Sequence, residues 1–287
     1  MPAGQRLPAV TTGPLLEDEA ALGLLGSLAL EPVGVLTEAS NLTVLVDLVD
    51  ADGSATGHQA VYKPVRGERP LADFPTGTLA AREVAAYLVS AAGGWDLVPP
   101  TLLREGPLGP GSVQWWVRQT PERLADPSAG LVEVLPPDRL GPGWLGVVSG
   151  TGAEGEEVVV AHADDPDLRS MAVLDAVLTN ADRKAAHLTR DLAGRLRGFD
   201  HGLCLHVDDK LRTVLWGWAG EPLREEDRTA LRRLLDALDR PATSTALAEL
   251  LAPAEVDALV GRTEELLGNG TMPLPPGGRY PLPWPLW

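Results

Sequence analysis

In the first 118 residues, apolar side chains recur with two spacings. In some segments they occupy every second position, and in others they recur every three or four positions and form a helical stripe. Alternation and β-branched enrichment predict strands, and spacing of three and four predicts helices. The predicted helices are 15–30 and 78–92, and the predicted strands are 33–37, 42–49, 59–63, 101–104 and 113–118. An antiparallel sheet with one helix packed on it is an α+β unit.

The pattern changes after Arg118. Residues 119–157 are rich in Pro and Gly and are predicted to be irregular, and a short strand is expected after them at 158–161. The rest predicts a helix at 168–178, a hairpin of 187–190 with 195–199, and helices at 226–238, 244–251 and 253–267. We therefore predict an α+β, two-lobed chain: a flexible leader 1–13, an N-lobe 14–118 with the sheet and helix, a mainly helical C-lobe 119–270, and a Pro/Trp-rich tail 271–287.

Net charge, cysteine count and the length of apolar runs exclude several classes of protein. The chain has 287 residues, with 40 acidic against 24 basic side chains and a net charge of −16. This balance argues against nucleic-acid binding and against charge-driven binding to anionic membranes. The single cysteine, Cys204, excludes a disulfide framework. No apolar run reaches the about 20 residues of a membrane span, and no signal-peptide core is visible near the N-terminus, so a cytoplasmic location is expected.

Lys63 is one of only three lysines, the others being Lys184 and Lys210. It lies in an apolar strand, where alternation places it on the face of Val61. A lysine at a strand end most often extends its charge into solvent. One that points inward needs an anionic partner, and Glu83 on the following helix is the candidate. Such a pair positions nucleotide phosphates in kinase-type sites.

Two more polar clusters follow a helix and a hairpin strand. Taken alone, 180–187 is a capped helix exit and 199–202 is an aspartate–glycine turn. Their order after a strand lysine and a helix glutamate fits phosphoryl transfer, which needs a carboxylate near the attacking hydroxyl and a ligand for a metal ion. Asp182 supplies the first, Asp200 the second, and His187 lies near the metal in this interpretation.

The ordered motifs resemble the phosphatidylinositol 3-/4-kinase-like branch of the protein-kinase superfold, and most closely the type II phosphatidylinositol 4-kinases and an uncharacterised actinobacterial family similar to them. The likeness runs from about Gly34 to Leu205. The matching segments are Val61-Tyr-Lys-Pro64, Arg82-Glu-Val-Ala-Ala-Tyr-Leu88, Val98-Pro-Pro-Thr101, Gly111-Ser-Val-Gln-Trp-Trp-Val117, Asp182-Arg183 and Asp200-His-Gly-Leu203. The resemblance implies a protein-kinase-like fold, with ATP and Mg²⁺ as cofactors.

The resemblance also implies roles for individual residues. The loop 37–41 would cover the phosphates, with Ser40 and Asn41 as donors, and Trp116 and Val117 would hold the adenine. Lys63 with Glu83 would hold the α- and β-phosphates. Asp182 would be the base, and Asp200 the main Mg²⁺ ligand. The acceptor would be a hydroxyl of a small polyol or of an inositol-type headgroup, and the acidic surface favours a soluble acceptor over a bilayer lipid.

Two positions depart from the family pattern. His187 replaces the asparagine that binds the second metal, and imidazole suits Mg²⁺ less well than an amide oxygen. Lys184 either neutralises the transferring phosphate or pairs with Asp182 and quenches it. The alternatives are therefore a nucleotide-binding pseudokinase or regulatory module, an AMP-transferase, and a protein kinase on the same fold.

Two aromatic segments carry open alternatives. Trp216 and Trp218 either pack into the core, which we favour, or form an apolar wall of the acceptor pocket. The tail 271–287 either docks on its own domain or inserts into a membrane interface or a partner groove.

Overall fold

A computed structural model describes residues 15–36, 41–277 and 280–287. The chain divides into two compact units, and each is made of two chain segments. The first unit contains the residues up to Arg69 and Pro100–Arg118, and the second contains Pro70–Pro99 and Gln119–Trp287. The helix that the sequence analysis grouped with the sheet belongs by its contacts to the second unit. Residue 118 is therefore one of three points at which the chain passes between units.

The first unit is a five-stranded antiparallel sheet with one helix, α1, Asp18–Ser27. The strands occur in the order β1-β2-β3-β5-β4, and their bounds are β1 Ala29–Val35, β2 Val44–Val49, β3 Ala55–Pro64, β4 Thr101–Gly106 and β5 Gly109–Trp115. In its core, apolar residues of α1 pack on apolar residues of the sheet. Leu25 is the α1 member of this cluster, and the sheet contributes Val46, Leu48, Tyr62 and Val113. The predicted sheet is confirmed, with turn residue Gly53 at φ 84° in the β2–β3 connection.

The first predicted helix was too long. Helix α1 ends at Ser27, and Ala29 already pairs with Val49 as the start of edge strand β1. Leu30 pairs with Leu48 and is buried, whereas the other residues of β1 are exposed, as on an edge strand. The apolar run 15–30 merges the two elements because its last residues fit either period.

The second unit contains helix α2 (Leu79–Gly93), whose left-handed C-cap Gly94 has φ 74°. Its other helices are α3 Pro121–Ala125, α4 Pro166–Leu178, α5 Glu225–Leu238, α6 Pro241–Ala248 and α7 Pro253–Asn269. The predicted hairpin is present as β9 (Leu188–Arg190) with β10 (Leu196–Gly198).

The expectation that 119–157 is irregular was wrong. This segment contains α3, β6 (Val132–Leu135) and β7 (Trp144–Thr151), and both strands pair with β8 (Glu157–Ala163) in a three-stranded antiparallel sheet. The register between β7 and β8 shifts between Gly146 and Val148. Strand β7 is also largely half-buried or exposed on both faces, so neither an apolar run nor clean alternation marks it.

The tail docks on the second unit. The carbonyl of Pro281 accepts hydrogen bonds from the backbone N–H of Thr213, at 3.2 Å, and from the indole of Trp216, at 2.8 Å. Leu282 is buried in a cluster with Leu211 and Trp216. Trp216 and Trp218 are 9% and 1% exposed, which confirms their packing in the core. Across the described ranges, no helix combines the length and hydropathy needed to span a membrane.

Candidate active site

The loop after α4 is shaped by Asn180. Helix α4 ends at Leu178, and its C-cap Thr179 adopts the left-handed conformation with φ 46°. The side-chain amide of Asn180 donates to Asp175 at 2.9 Å, and its oxygen accepts the backbone N–H of Asp182 at 3.0 Å. These two bonds fix the path of the chain directly before Asp182, so the carboxylate has a set position.

Arg183 stabilises the same loop through buried contacts of its side chain. Its guanidinium forms a two-pronged ion pair with Asp175, with Nε–Oδ2 and Nη2–Oδ1 distances of 2.9 Å, and both side chains are fully buried. Its Nη1 also donates to the carbonyls of His187 and Phe199. The arginine therefore ties the loop to the β9–β10 hairpin, and its role is to position neighbouring groups.

Asp182 is the carboxylate that this framework presents. Burial is the largest influence and raises its pKa to about 6, the negative charge of Asp200 adds to the rise, and Lys184 opposes it. Lys184 Nζ lies 3.3 Å from Asp182 Oδ2. A carboxylate with a pKa near neutrality is suited to accept a proton at physiological pH.

Asp200 and His187 lie together at the end of β10. His187 Nε2 is 3.3 Å from Asp200 Oδ2, and the backbone N–H of Phe199 donates to the His187 carbonyl at 3.1 Å. Asp200 has φ 61°, a left-handed conformation that costs about 1 kcal/mol or more in a non-glycine residue. The strained backbone turns the aspartate out of the hairpin.

Glu83 on α2 contacts the segment that follows Asp200. Its side chain is 2% exposed, and Oε2 accepts the backbone N–H of His201 at 3.0 Å. Gly202 also lies beside α2, since a Cβ at this position would be in van der Waals contact with Leu79 Cβ at 3.4 Å. Helix α2 and the Asp200-His-Gly202 turn are thus held together, which positions Asp200.

The candidate nucleotide-binding residues of the first unit lie on or near its sheet. Lys63 and Val61 share a half-buried face of β3, while Tyr62 between them is buried in the core. The side-chain oxygen of Asn41 accepts the backbone N–H of Arg69 at 2.8 Å. Trp116 and Val117 directly follow β5. Ser40, with the rest of 37–40, lies outside the described residues, and the predicted pairing of Lys63 with Glu83 stays a prediction.

The Asp200 carboxylate and the His187 imidazole could supply two ligands to a divalent cation whose remaining ligands are water and phosphate oxygens. Within the part of the chain that the structure describes, no three His, Cys, Asp or Glu side chains form a group that would hold a metal alone. Mg²⁺ usually takes one or two carboxylates and completes its shell with water and substrate phosphates. Asp200 with His187 matches this pattern, and the imidazole is the less suitable of the two donors.

Sequence reasoning missed two of these positioning groups. Asp175 is a fully buried acid in the apolar helix α4, and His201 lies 2.7 Å through Nε2 from the Arg183 guanidinium. An acid inside an apolar helical stripe signals a buried partner, because an unpaired buried carboxylate is costly. Asn180 was interpreted only as a cap, and the structure adds its link to Asp182.

No protein-family model matches the chain. Protein Rv2133c of Mycobacterium tuberculosis is 48% identical over 274 residues, which cover 94% of this chain and 96% of that protein. The chain belongs to the same family as Rv2133c.

Two solved structures extend the comparison of this Rv2133c-family member. Hydra Fam20 with sugar matches with a TM-score of 0.51 and 13% identity, covering 86% of each chain. A Golgi casein kinase with Mn and ADP bound matches with a TM-score of 0.49 and 12% identity, covering 88% of this chain and 75% of that one. At these identities the likeness to Fam20 concerns the fold alone, and the predicted α+β, protein-kinase-like fold is confirmed. The narrower likeness to phosphatidylinositol 4-kinases stays a prediction.

Proposed function

We propose that the chain is an ATP- and Mg²⁺-dependent phosphotransferase acting on a hydroxyl of a small soluble polyol or inositol-type acceptor. The observation that carries this is that Asp182 and Asp200 lie on neighbouring segments: Arg183, the residue after Asp182, donates a hydrogen bond to the carbonyl of Phe199, the residue before Asp200, at 3.2 Å. Burial raises the pKa of Asp182 to about 6, and the negative charge of Asp200 adds to the rise. Phosphoryl transfer needs such a pair, one carboxylate for the nucleophile and one for the cation.

The reaction uses few protein groups. The acceptor oxygen bonds to the γ-phosphorus while the bond from that phosphorus to the β–γ bridging oxygen breaks, so ADP leaves. Asp182 accepts the hydroxyl proton, for which a pKa of about 6 is suitable. Lys184 neutralises charge on the transferring group, and Lys63 contacts the phosphates of the nucleotide.

Asp200, assisted by His187, would hold the cation, which when bound neutralises phosphate charge. The chain's own contribution is to fix Asp200. Glu83 anchors the next residue, His201, through its backbone N–H, and Arg183 holds the carbonyl of the preceding residue, Phe199. Both neighbours of Asp200 are therefore tied to buried charged side chains.

One observation favours a second candidate, a nucleotide-binding module without turnover. The Lys184 ammonium pairs with the Asp182 carboxylate at 3.3 Å. If this pair persists with nucleotide bound, Lys184 competes with the acceptor hydroxyl for the carboxylate and disfavours proton transfer to it. Binding of Mg·ATP without product formation would support this candidate.

The test uses ATP labelled at the γ-phosphate with inositol, an inositol lipid and a protein panel. Asp182→Asn and Asp200→Asn are each expected to lower transfer by about 10²- to 10⁴-fold. Asp208→Asn, at an exposed carboxylate beside His206, is the matched control and should behave as wild type. Transfer no greater than in the two variants would refute the proposal. Label transferred from α-labelled ATP would indicate AMP transfer.

A further inference from the structure

Residues 211–214 of the second unit run beside the loop 180–184, which carries Asp182. The backbone N–H of Arg183 donates to the Arg212 carbonyl at 3.0 Å, the N–H of Val214 donates to the Arg183 carbonyl at 3.2 Å, and the N–H of Arg212 donates to the Asn180 carbonyl at 2.8 Å. Arg183 and Thr213 form a parallel β-bridge. Thr213 thus pairs with Arg183 through one isolated bridge, and Arg212 lies next to Asn180.

This pairing decides which side chains share a face. Bridge partners Arg183 and Thr213 both point inward, with exposures of 0% and 2%. Side chains alternate along paired extended segments. Asp182 and Arg212, each one residue earlier, therefore point to the opposite side, and both are half-buried. By this alternation we expect the Arg212 side chain on the same side as the carboxylate proposed to accept the proton.

Arg212 also lines a shallow, open depression of the surface. The remaining lining residues are Asp209, Lys210, Leu211, Pro276 and Tyr280. Two of these have polar partners: Lys210 Nζ is 2.6 Å from Asp73, and Asp209 accepts hydrogen bonds from the hydroxyl of Thr179 and the N–H of Leu211. Within residues 15–36, 41–277 and 280–287, no carboxylate forms an ion pair with Arg212.

We infer that Arg212 binds a phosphate group carried by the acceptor, so that the acceptor is a phosphorylated polyol. The planar guanidinium matches phosphate oxygens in a two-pronged geometry, and half-burial strengthens the interaction. A cation at this position is needed because the protein's charge of −16 would otherwise repel an anionic acceptor. This rests on the proposed phosphotransferase function and adds the acceptor class and a specificity-determining residue.

The kinetic test compares myo-inositol 1-phosphate with myo-inositol as acceptors, and phosphatidylinositol in phosphatidylcholine vesicles as the lipid source of the same phosphate chemistry. We expect the soluble phosphate to be preferred over myo-inositol by tenfold or more in kcat/KM. Arg212→Gln should raise its KM about ten- to hundredfold with kcat within about threefold, and Arg212→Lys should recover part of the loss. Equal use of both soluble acceptors, or a preference unaffected by Arg212→Gln, would overturn the inference.

Arg232→Gln is the matched control, because Arg232 is an exposed arginine on α5 paired with Glu225 at 2.7 Å. It should retain the wild-type KM. Circular dichroism and thermal unfolding check that both glutamine variants are folded. Preference for the vesicles over the soluble phosphate would contradict a soluble phosphorylated polyol.

A binding measurement separates this inference from the proposed function. Calorimetric titration of the nucleotide-free protein with myo-inositol 1-phosphate should show binding that Arg212→Gln weakens at least tenfold. Such binding without any phosphoryl transfer would retain the phosphate site and refute the phosphotransferase proposal. Transfer to myo-inositol with no Arg212-dependent phosphate binding would do the reverse.

Discussion

Asp175 and Arg183 form a completely buried ion pair beside the loop that carries Asp182, joined by two hydrogen bonds of 2.9 Å. The pair lies one residue from Asp182, whose side chain is partly exposed. The Asp182 carboxylate, which is proposed to accept the proton, is therefore positioned by the Asp175–Arg183 ion pair, which has no part in the proposed reaction. Their separation allows stability and catalysis to be tested with different variants.

Asp175→Asn should destabilise the fold strongly. The substitution leaves the Arg183 guanidinium buried without its counter-charge, which typically costs about 3–5 kcal/mol. Urea unfolding followed by circular dichroism measures the change. Glu225→Gln removes an exposed ion pair with Arg232 and should cost less than about 1 kcal/mol. Similar losses in the two variants would contradict the buried pairing.

The Asp182 carboxyl should titrate near pH 6 in the metal-free, nucleotide-free protein, because burial raises its pKa to about that value. Lys184→Met should move the midpoint higher, since the lysine charge favours the carboxylate. Carbon-13 NMR of aspartate carboxyls, assigned with Asp182→Asn, measures both. Arg232→Met is the control and should leave the midpoint in place. A midpoint below about pH 4.5 would refute the shift.

The same shift links stability to pH with a definite sign. The folded-state pKa of Asp182 lies above its unfolded value of 3.8, so the folded protein binds more protons between the two values. This contribution favours folding at low pH and is lost as the pH rises through about 6. The free energy of unfolding of wild type, relative to Asp182→Asn, should therefore fall between about pH 4 and 7. A flat difference would contradict the assignment.

Gly111→Ala should disturb the strand pairing beside Lys63. A Cβ at this position would lie 2.5 Å from the Lys63 carbonyl and 2.8 Å from Pro64 Cα, and backbone atoms cannot move aside easily. Overpacking of this kind costs about 1–3 kcal/mol. Gly150→Ala is the control, because its Cβ would have nothing within 4 Å. Thermal unfolding compares them, and equal midpoints would count against so close an approach of β3 and β5.

Leu282→Ala should loosen the tail. Leu282 is 4% exposed in the cluster with Leu211 and Trp216, and truncating a buried leucine costs about 2–5 kcal/mol. Leu274→Ala, at a residue that is 71% exposed, should have little effect. Limited proteolysis should cut the tail faster in the first variant only. Unchanged cleavage would mean that the docking of the tail does not depend on this contact.

The sequence predicted the fold where one period dominated and failed where two competed. Strands β2 and β3 and helix α4 carry long apolar patterns, and they were located to within a few residues. Strands β6 and β7 were missed because glycines and prolines surround them and tertiary pairing with β8 supplies what their own pattern lacks.

The candidate site shows the same division. Asp182, Lys184, His187 and Asp200 were predicted as site residues because local motifs carry them. The structure places Lys184 3.3 Å from Asp182 and His187 3.3 Å from Asp200, and their roles stay predictions. Asp175, by contrast, acts through a partner eight residues away across a turn. Arg212 contacts Asn180 and Arg183 because of the path of the loop that follows β10, and no local sequence pattern predicts that path. Roles that depend on such nonlocal contacts cannot be deduced from spacing alone.

The division of each unit into two chain segments has a consequence for how the protein is made. Strand β3 pairs Ala60 with Trp115 of β5, so the first sheet cannot close until the intervening helix α2 has left the ribosome. Helix α2 in turn packs on α5 and α6, and its Arg82 pairs with Glu255 of α7, so it stays uncovered until those helices are synthesised. The first unit can close only after the residues up to Arg118 have been synthesised, and the second must wait for most of the chain.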